Sequence, residues 1–324
     1  MSDEASFCFS VVMTCGYNAL MIFVYLLFVV AVLLIPDTAF AWGPGMHLET
    51  SLVVLERIRE IAPSIAAIIA EHPRHFIYGT VSPDILVGKR YAGYHWHCHN
   101  WNVAKVLLDT AKTTAEKAGV YGYLTHLAAD TVAHNYYVPY KTVRGYSAKM
   151  LSHTYWELRY DLNVDNRVWK EITHITKGDY VDFDALMEKT LRKTILSFRT
   201  SRFIFKGLLK LEQLKHLRQT LQVFAKKSQW KIAPERYSHF YDLTINTVMN
   251  FLQDPQRAHC LAADPSGMAR LSESLQLRNR IRENLRRKVI TRAQADKWVE
   301  LSAKQLEESL FLPVIWWPDV YDVV

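Results

Sequence analysis

The stretch "YLTHLAADTVAHNYY", residues 123–137, sets the tightest condition on the fold. It spaces His126, Asp130 and His134 four residues apart. In an α-helix that spacing puts all three on one face, each about 6 Å above the last. Two imidazoles flanking a carboxylate make a poor core stripe, because each brings buried polar atoms that need partners. They make a good ligand row for zinc, which accepts histidine nitrogen and carboxylate oxygen at about 2 Å. A second stretch, "HTYWE", puts His153 and Glu157 four apart on another predicted helix. Helical bundles build multi-metal sites from two such helices, each presenting histidine and carboxylate. A single His-x-x-x-Asp pair reads more simply as a helix-surface hydrogen bond. Here it comes with a Pro-Asp loop at Asp84 and the run "HWHCHNW" holding His95, His97 and His99. Nine of the thirteen histidines lie from His47 to His153, so the metal reading carries.

The remaining pattern is helical almost throughout. Leu48–Ile61 is amphipathic, and Pro63 opens a short helix through Glu71. Residues 72–88, with Pro73, Gly79, Pro83 and Gly88, read as loop. Helices follow at about 102–118, 121–137 and 147–169, then three or four more from Asp182 to near Leu310. No alternating strand pattern of useful length is present. The expected fold is all-α, a multi-helix bundle with a clustered zinc site in a cleft. Expected regions are a leader or membrane anchor over 1–41, a metal-binding core over 42–175 and a basic helical region over 176–324. The basic run 189–231 fits a core-packed helix pair with a charged face, or a surface lying on anionic membrane.

The N-terminus adds a second idea. "ALMIFVYLLFVVAVLLIP", residues 19–36, is long and apolar, and "DTAFA" follows with Ala39 and Ala41 in a small-x-small frame. Cleavage there makes Trp42 the first residue of the mature chain. Its free amine, five residues from His47, is then available as a metal ligand. The expected location is outside the cytoplasm, periplasmic or secreted, with membrane association through 19–36 as the alternative. Losing residues 1–41 removes three acids and no bases, raising the formal charge from +7 to +10, which suits an anionic partner. Cys98 and Cys260 remain and could form one bridge.

Taken in order, Trp42, His47, Asp84 in "SPD", a histidine of "HWHCHNW", His126, Asp130, His134, His153 and Glu157 resemble the zinc-dependent phospholipase C family. That family is related in fold to the single-strand-specific zinc nucleases. The resemblance covers about residues 42–160. It implies an all-α protein holding up to three Zn2+ ions, one of them on the amino nitrogen and carbonyl oxygen of an N-terminal tryptophan. Trp42 and His47 would hold that ion and share Asp130 with a second. Asp84, His126, Asp130 and His99, with His97 the alternative, would hold the second ion. His134, His153 and Glu157 would hold the third. Asp84 is the catalytic candidate, as a ligand that also orients or deprotonates the attacking water. The His-x3-Asp-x3-His spacing is nearer the glycosylphosphatidylinositol phospholipase D relatives, and the Trp-x4-His gap is nearer the nucleases.

The implied activity is hydrolysis of phospholipid headgroup esters by metal-activated water, with a phospholipid or membrane surface as substrate. Two alternatives stand beside it: a zinc nuclease acting on single-stranded nucleic acid, and a non-catalytic membrane-anchored metal protein. Trp96, Trp101, Tyr136, Tyr137 and Trp156 either line a substrate pocket or pack in the core. No Gly-x-Ser-x-Gly, Walker loop or dinucleotide-binding turn is present.

Overall fold

Prolines and short polar residues set where the helices begin. In the computed structural model the described residues are 42–85, 97–148, 156, 159–191, 198–212, 223 and 232–324. All of them fall within the unit Ala39–Val324. Pro44, Pro63, Pro73 and Pro234 open α1 (Pro44–Glu56), α2 (Pro63–Glu71), α3 (Pro73–Gly79) and α10 (Pro234–Gln253). At a first helical position the missing N–H would have no intrahelical partner in any case. Asn100 caps α4 (Trp101–Thr110) by accepting from the Asn102 N–H. Thr113 and Glu116 form a reciprocal capping box that starts α5 (Thr114–Val132). A π-helical turn, Ala133–Tyr137, joins α5 to α6 (Val138–Arg144). The chain continues through α7 (Val168–Lys177), α8 (Val181–Thr190) and α9 (Phe198–Glu212). After α10 come α11 (Met268–Arg286) and α12 (Arg292–Glu308). Among the described residues there is no strand, and the fold is all-α.

Four boundaries depart from the sequence expectation. The expected loop at 72–88 contains α3 and a 3-10 turn at Ser82–Ile85, because Pro73 and Gly79 sit at the ends of a helix rather than inside it. The expected helix 102–118 is broken at 111–113, where the Thr113 box restarts the chain as α5. The first helix starts at Pro44 rather than Leu48 and is followed by a 3-10 turn at Ile58–Glu60. The expected helix 147–169 is interrupted: Arg159–Asp161 is helical, a turn follows, and α7 starts at Val168. Cys98 and Cys260 are both buried and are not joined to each other. No helix among the described residues is long and apolar enough to cross a membrane, and residues 19–36 lie outside them.

Two helices meet at backbone distance, and this places the site. A Cβ on Gly79 would lie 2.0 Å from the Gly119 carbonyl oxygen, and one on Gly122 would lie 2.1 Å from that of Phe76. Only glycine allows α3 to lie this close to α5. The contact brings Thr80 and the Ser82–Ile85 turn against the ligand row of α5. On other faces α10 packs on α5, while α11 and α12 pack on α6.

Candidate metal centre

Asp130 is the point on which the site converges. It is fully buried on α5, and its two oxygens face different groups. Oδ1 lies 3.3 Å from His47 Nε2. Oδ2 lies 3.0 Å from His99 Nε2 and 3.2 Å from His126 Nε2. His99 Nε2 is also 3.0 Å from His126 Nε2 and 3.5 Å from Asp84 Oδ1. The rings of His47 and His126 stack with centroids 3.8 Å apart. His47 arrives from α1, Asp84 from the 3-10 turn, His99 from the segment before α4, and His126 and Asp130 from one face of α5.

These groups are satisfied poorly as hydrogen-bonding partners and well as ligands. Both ring nitrogens of His47 and both oxygens of Asp130 are buried with no aligned hydrogen bond. Leaving such groups unpaired away from water costs on the order of 1–3 kcal/mol each, more for a charge. Four donors around a tetrahedral zinc at about 2.0–2.1 Å are necessarily about 3.3 Å from one another. The separations of 3.0–3.5 Å match that edge. Nitrogen and carboxylate oxygen are the donor types zinc takes, so the residues fit the ion. Two overlapping sets meet the spacing: His47, His126 and Asp130, and Asp84, His99 and His126.

The tautomer of His126 is set from outside the cluster. Its Nδ1–H donates to the Thr80 carbonyl at 2.9 Å, which leaves the Nε2 lone pair facing Asp130 and His99. A carbonyl behind a histidine in this way fixes ring orientation and raises its basicity as a ligand. Burial lowers the affinity of His47 for a proton, and neighbouring His126 adds to the effect. Burial acts the same way on His126 but is outweighed, mainly by Asp130 and Asp84, so His126 is held above the ordinary imidazole range. Burial opposes ionisation of Asp130, yet His126, His47 and His99 keep it well below the usual carboxylate range. The centre is an ionised carboxylate inside a ring of imidazoles.

The other expected residues are placed differently. His97 is buried beside the cluster, and its Nδ1 accepts the His99 backbone N–H at 3.1 Å. It therefore props the loop, whereas His99 makes the close approach to Asp130. His97, Cys98 and His99 also form a compact donor group. His134 stands on the π turn, and its nitrogen nearest Asp130, Nδ1 at 3.8 Å, is the one that donates to the Pro265 carbonyl at 2.5 Å. The regular spacing predicts one face for all three residues, but the π turn ends the α-helical register before His134. Trp42 is fully buried, stacks on Tyr137, lies tilted against Tyr160, and donates its indole N–H to the Ala129 carbonyl at 3.1 Å. His153 and Glu157 lie outside the described residues, as do Trp96 and residues 1–41. Tyr136, Tyr137 and Trp156 are buried, and Trp101 is bound through its indole to the Ala263 carbonyl, so these four belong to the packing.

Three supports were not foreseen from sequence. The Asp161 carboxylate accepts the backbone N–H groups of Gly45 at 2.7 Å and Met46 at 3.1 Å, which holds the start of α1 just before His47. The loop 263–267 clasps the far side of the centre. Pro265 binds His134, the Asp264 carbonyl accepts from Asn135, and Gly267 adopts a left-handed φ of 56°. A Cβ on Gly267 would lie 2.5 Å from His134 Cβ. Thr80 supplies the carbonyl behind His126. Carbonyl partners leave no residue-type signal, and Asp161 lies far along the chain from the helix it caps.

Residues 46–202, just under half of the chain, match the family described as zinc dependent phospholipase C. The match starts after Trp42 and ends within α9. No curated protein and no solved structure matches the chain.

Proposed function

We propose that the chain is a zinc-dependent phosphodiesterase of the phospholipase C type, hydrolysing phospholipid headgroup esters with a metal-activated water. The observation that carries the reading is Asp130, a buried carboxylate whose two oxygens face separate histidines without an aligned hydrogen bond. His47 and Oδ1 of Asp130 would hold one ion, while Asp84, His99, His126 and Oδ2 of Asp130 would hold a neighbouring one. His134, with His153 and Glu157, would hold a third, and the amine of a mature Trp42 would complete the first. Clustered zinc supplies a lowered pKa for bound water and polarisation of phosphoryl oxygens.

The chain's own residues do the rest. The Thr80 carbonyl keeps the Nδ1 proton on His126, so Nε2 is the nitrogen that would give its lone pair to the metal. Asp84, facing His99 at 3.5 Å, is the carboxylate placed to orient or accept a proton from a water at the cluster. The buried walls exclude bulk water and so strengthen every charge interaction inside. The protein acts outside the cytoplasm after cleavage before Trp42.

The test pairs two substrates for the purified protein: a choline phospholipid and single-stranded DNA. Release of phosphocholine that stops on chelation and returns with zinc supports the reading. Cleavage of DNA alone makes the protein a nuclease. Intact mass decides the Trp42 ligand, because a chain that keeps residues 1–41 has no free amine there.

A further inference from the structure

Two histidines at the centre are backed by main-chain carbonyls, and a third is backed by sulfur. His126 Nδ1 meets the Thr80 carbonyl at 2.9 Å, and His134 Nδ1 meets that of Pro265 at 2.5 Å. His99 Nδ1 lies 3.2 Å from the Cys98 Sγ. The opposite nitrogen of the same ring, Nε2, lies 3.0 Å from both Asp130 Oδ2 and His126 Nε2. Cys98 and His99 are both buried. The ring therefore stands between the ion's place and the thiol, and the expected ligand set gives Cys98 no role.

The surroundings hold the sulfur in that position. Tyr123, fully buried on α5, donates its hydroxyl to the Cys98 carbonyl. It stands three residues before His126, so the helix that supplies ligands also pins the Cys98 backbone. His97 Nδ1 accepts the His99 backbone N–H at 3.1 Å, which tightens the chain around Cys98. On the other side Asn100 caps α4 and fixes where the segment ends. A neutral imidazole that gives its Nε2 lone pair to an ion keeps its proton on Nδ1. In His99 that proton is directed at the Cys98 sulfur.

We propose that Cys98 is a positioning residue of the metal centre: its sulfur accepts the Nδ1–H of His99 and so fixes that ligand's tautomer and orientation. Carboxylates, backbone carbonyls and waters fill this place behind most metal-binding histidines, and here a thiol does. The proposal rests on the zinc reading of Asp130, His99 and His126, and it does not depend on which phosphodiester is cleaved.

The experiment is the zinc affinity of the full chain, by competition with a chromogenic chelator, for the native protein, Cys98→Ala and Cys98→Ser. Cys98→Ala is expected to weaken zinc binding roughly 10–100-fold, as loss of an outer partner does. Cys98→Ser is expected to recover most of that loss, because a hydroxyl also accepts an N–H. A packing role alone predicts the opposite order, since serine buries a polar group where alanine leaves only a small gap. Circular dichroism matching the native chain shows that each variant folds. Cobalt(II) loading of the native chain gives a reading that needs no variant: the spectrum is expected to lack a thiolate-to-cobalt charge-transfer band. Such a band would make Cys98 a ligand and overturn the proposal, as would native zinc affinity in Cys98→Ala. A native chain that binds no zinc overturns the metal reading and this role with it, which separates the two failures.

Discussion

Asp130 and Asp161 are both aspartates, both buried, and both close to α1, yet they are opposite in kind. Asp161 meets the Gly45 and Met46 N–H groups squarely, and burial still pushes its carboxyl up to about 7. Asp130 has no aligned hydrogen bond, and its ring of imidazoles holds it well below the carboxylate range. Hydrogen bonds from neutral amides make a cap for a helix. Positive or metal-seeking groups around an unbonded carboxylate make a place for a cation. The residue type is the same, and the surroundings decide whether it holds the fold together or does chemistry.

Exchanging each carboxylate for a neutral side chain is expected to break this pair in different ways. Asp130→Asn removes the charge that would serve both proposed zinc ions, so activity on a choline phospholipid is expected to fall well beyond the roughly 10–100-fold typical of an outer support. Steady-state hydrolysis checks it, and a loss of less than tenfold would place the chemistry elsewhere. Asp161→Ala is expected to lower stability by about 2–4 kcal/mol, since two backbone donors at the start of α1 lose a carboxylate partner. Urea unfolding reads that change. Zinc content at saturating metal is expected to stay the same, which separates the cap from the centre.

Two smaller effects sharpen the contrast. Gly267→Ala puts a methyl group 2.5 Å from His134 Cβ, at a backbone angle that favours glycine. The Pro265 carbonyl then shifts from His134, and zinc affinity is expected to fall roughly 10–100-fold. A competition titration with a chromogenic chelator measures it, and unchanged affinity would make the 263–267 loop a packing element only. Lys141 sets the smallest effect, read as a slope. Its ammonium is held near 7 in the folded chain, below its unfolded value of 10.5, so between these the unfolded chain binds the extra proton. Stability is therefore expected to rise from pH 7 to about pH 9, and Lys141→Met is expected to flatten that rise. Urea midpoints across the range test it, and an unchanged slope in the variant assigns it to other groups.

The sequence shows the centre better than it shows what holds the centre in place. His126 and Asp130 are legible because helical spacing is a property of neighbours along the chain, and both lie on α5 with their donors facing one place. His134 carries the same spacing and still departs from the row, because nothing in the composition of "AHNYY" marks a π turn. The 72–88 stretch reads as loop in the sequence because proline and glycine ordinarily break a helix. Pro73 is in fact a first helical residue, and Gly79 is the contact through which α3 meets α5. Backbone carbonyls behind His126 and His134 have no signature, and the partners of Asp161 and Lys141 are brought together only by the tertiary fold.

The measurement that tests the central claim most directly is zinc per chain, by elemental mass spectrometry, for the native protein and Asp130→Asn purified in parallel without chelator. If Asp130 bridges two sites, the native chain carries at least two zinc ions and the variant loses more than one of them. A native chain without zinc, or an Asp130→Asn chain that keeps the native count, would contradict the account.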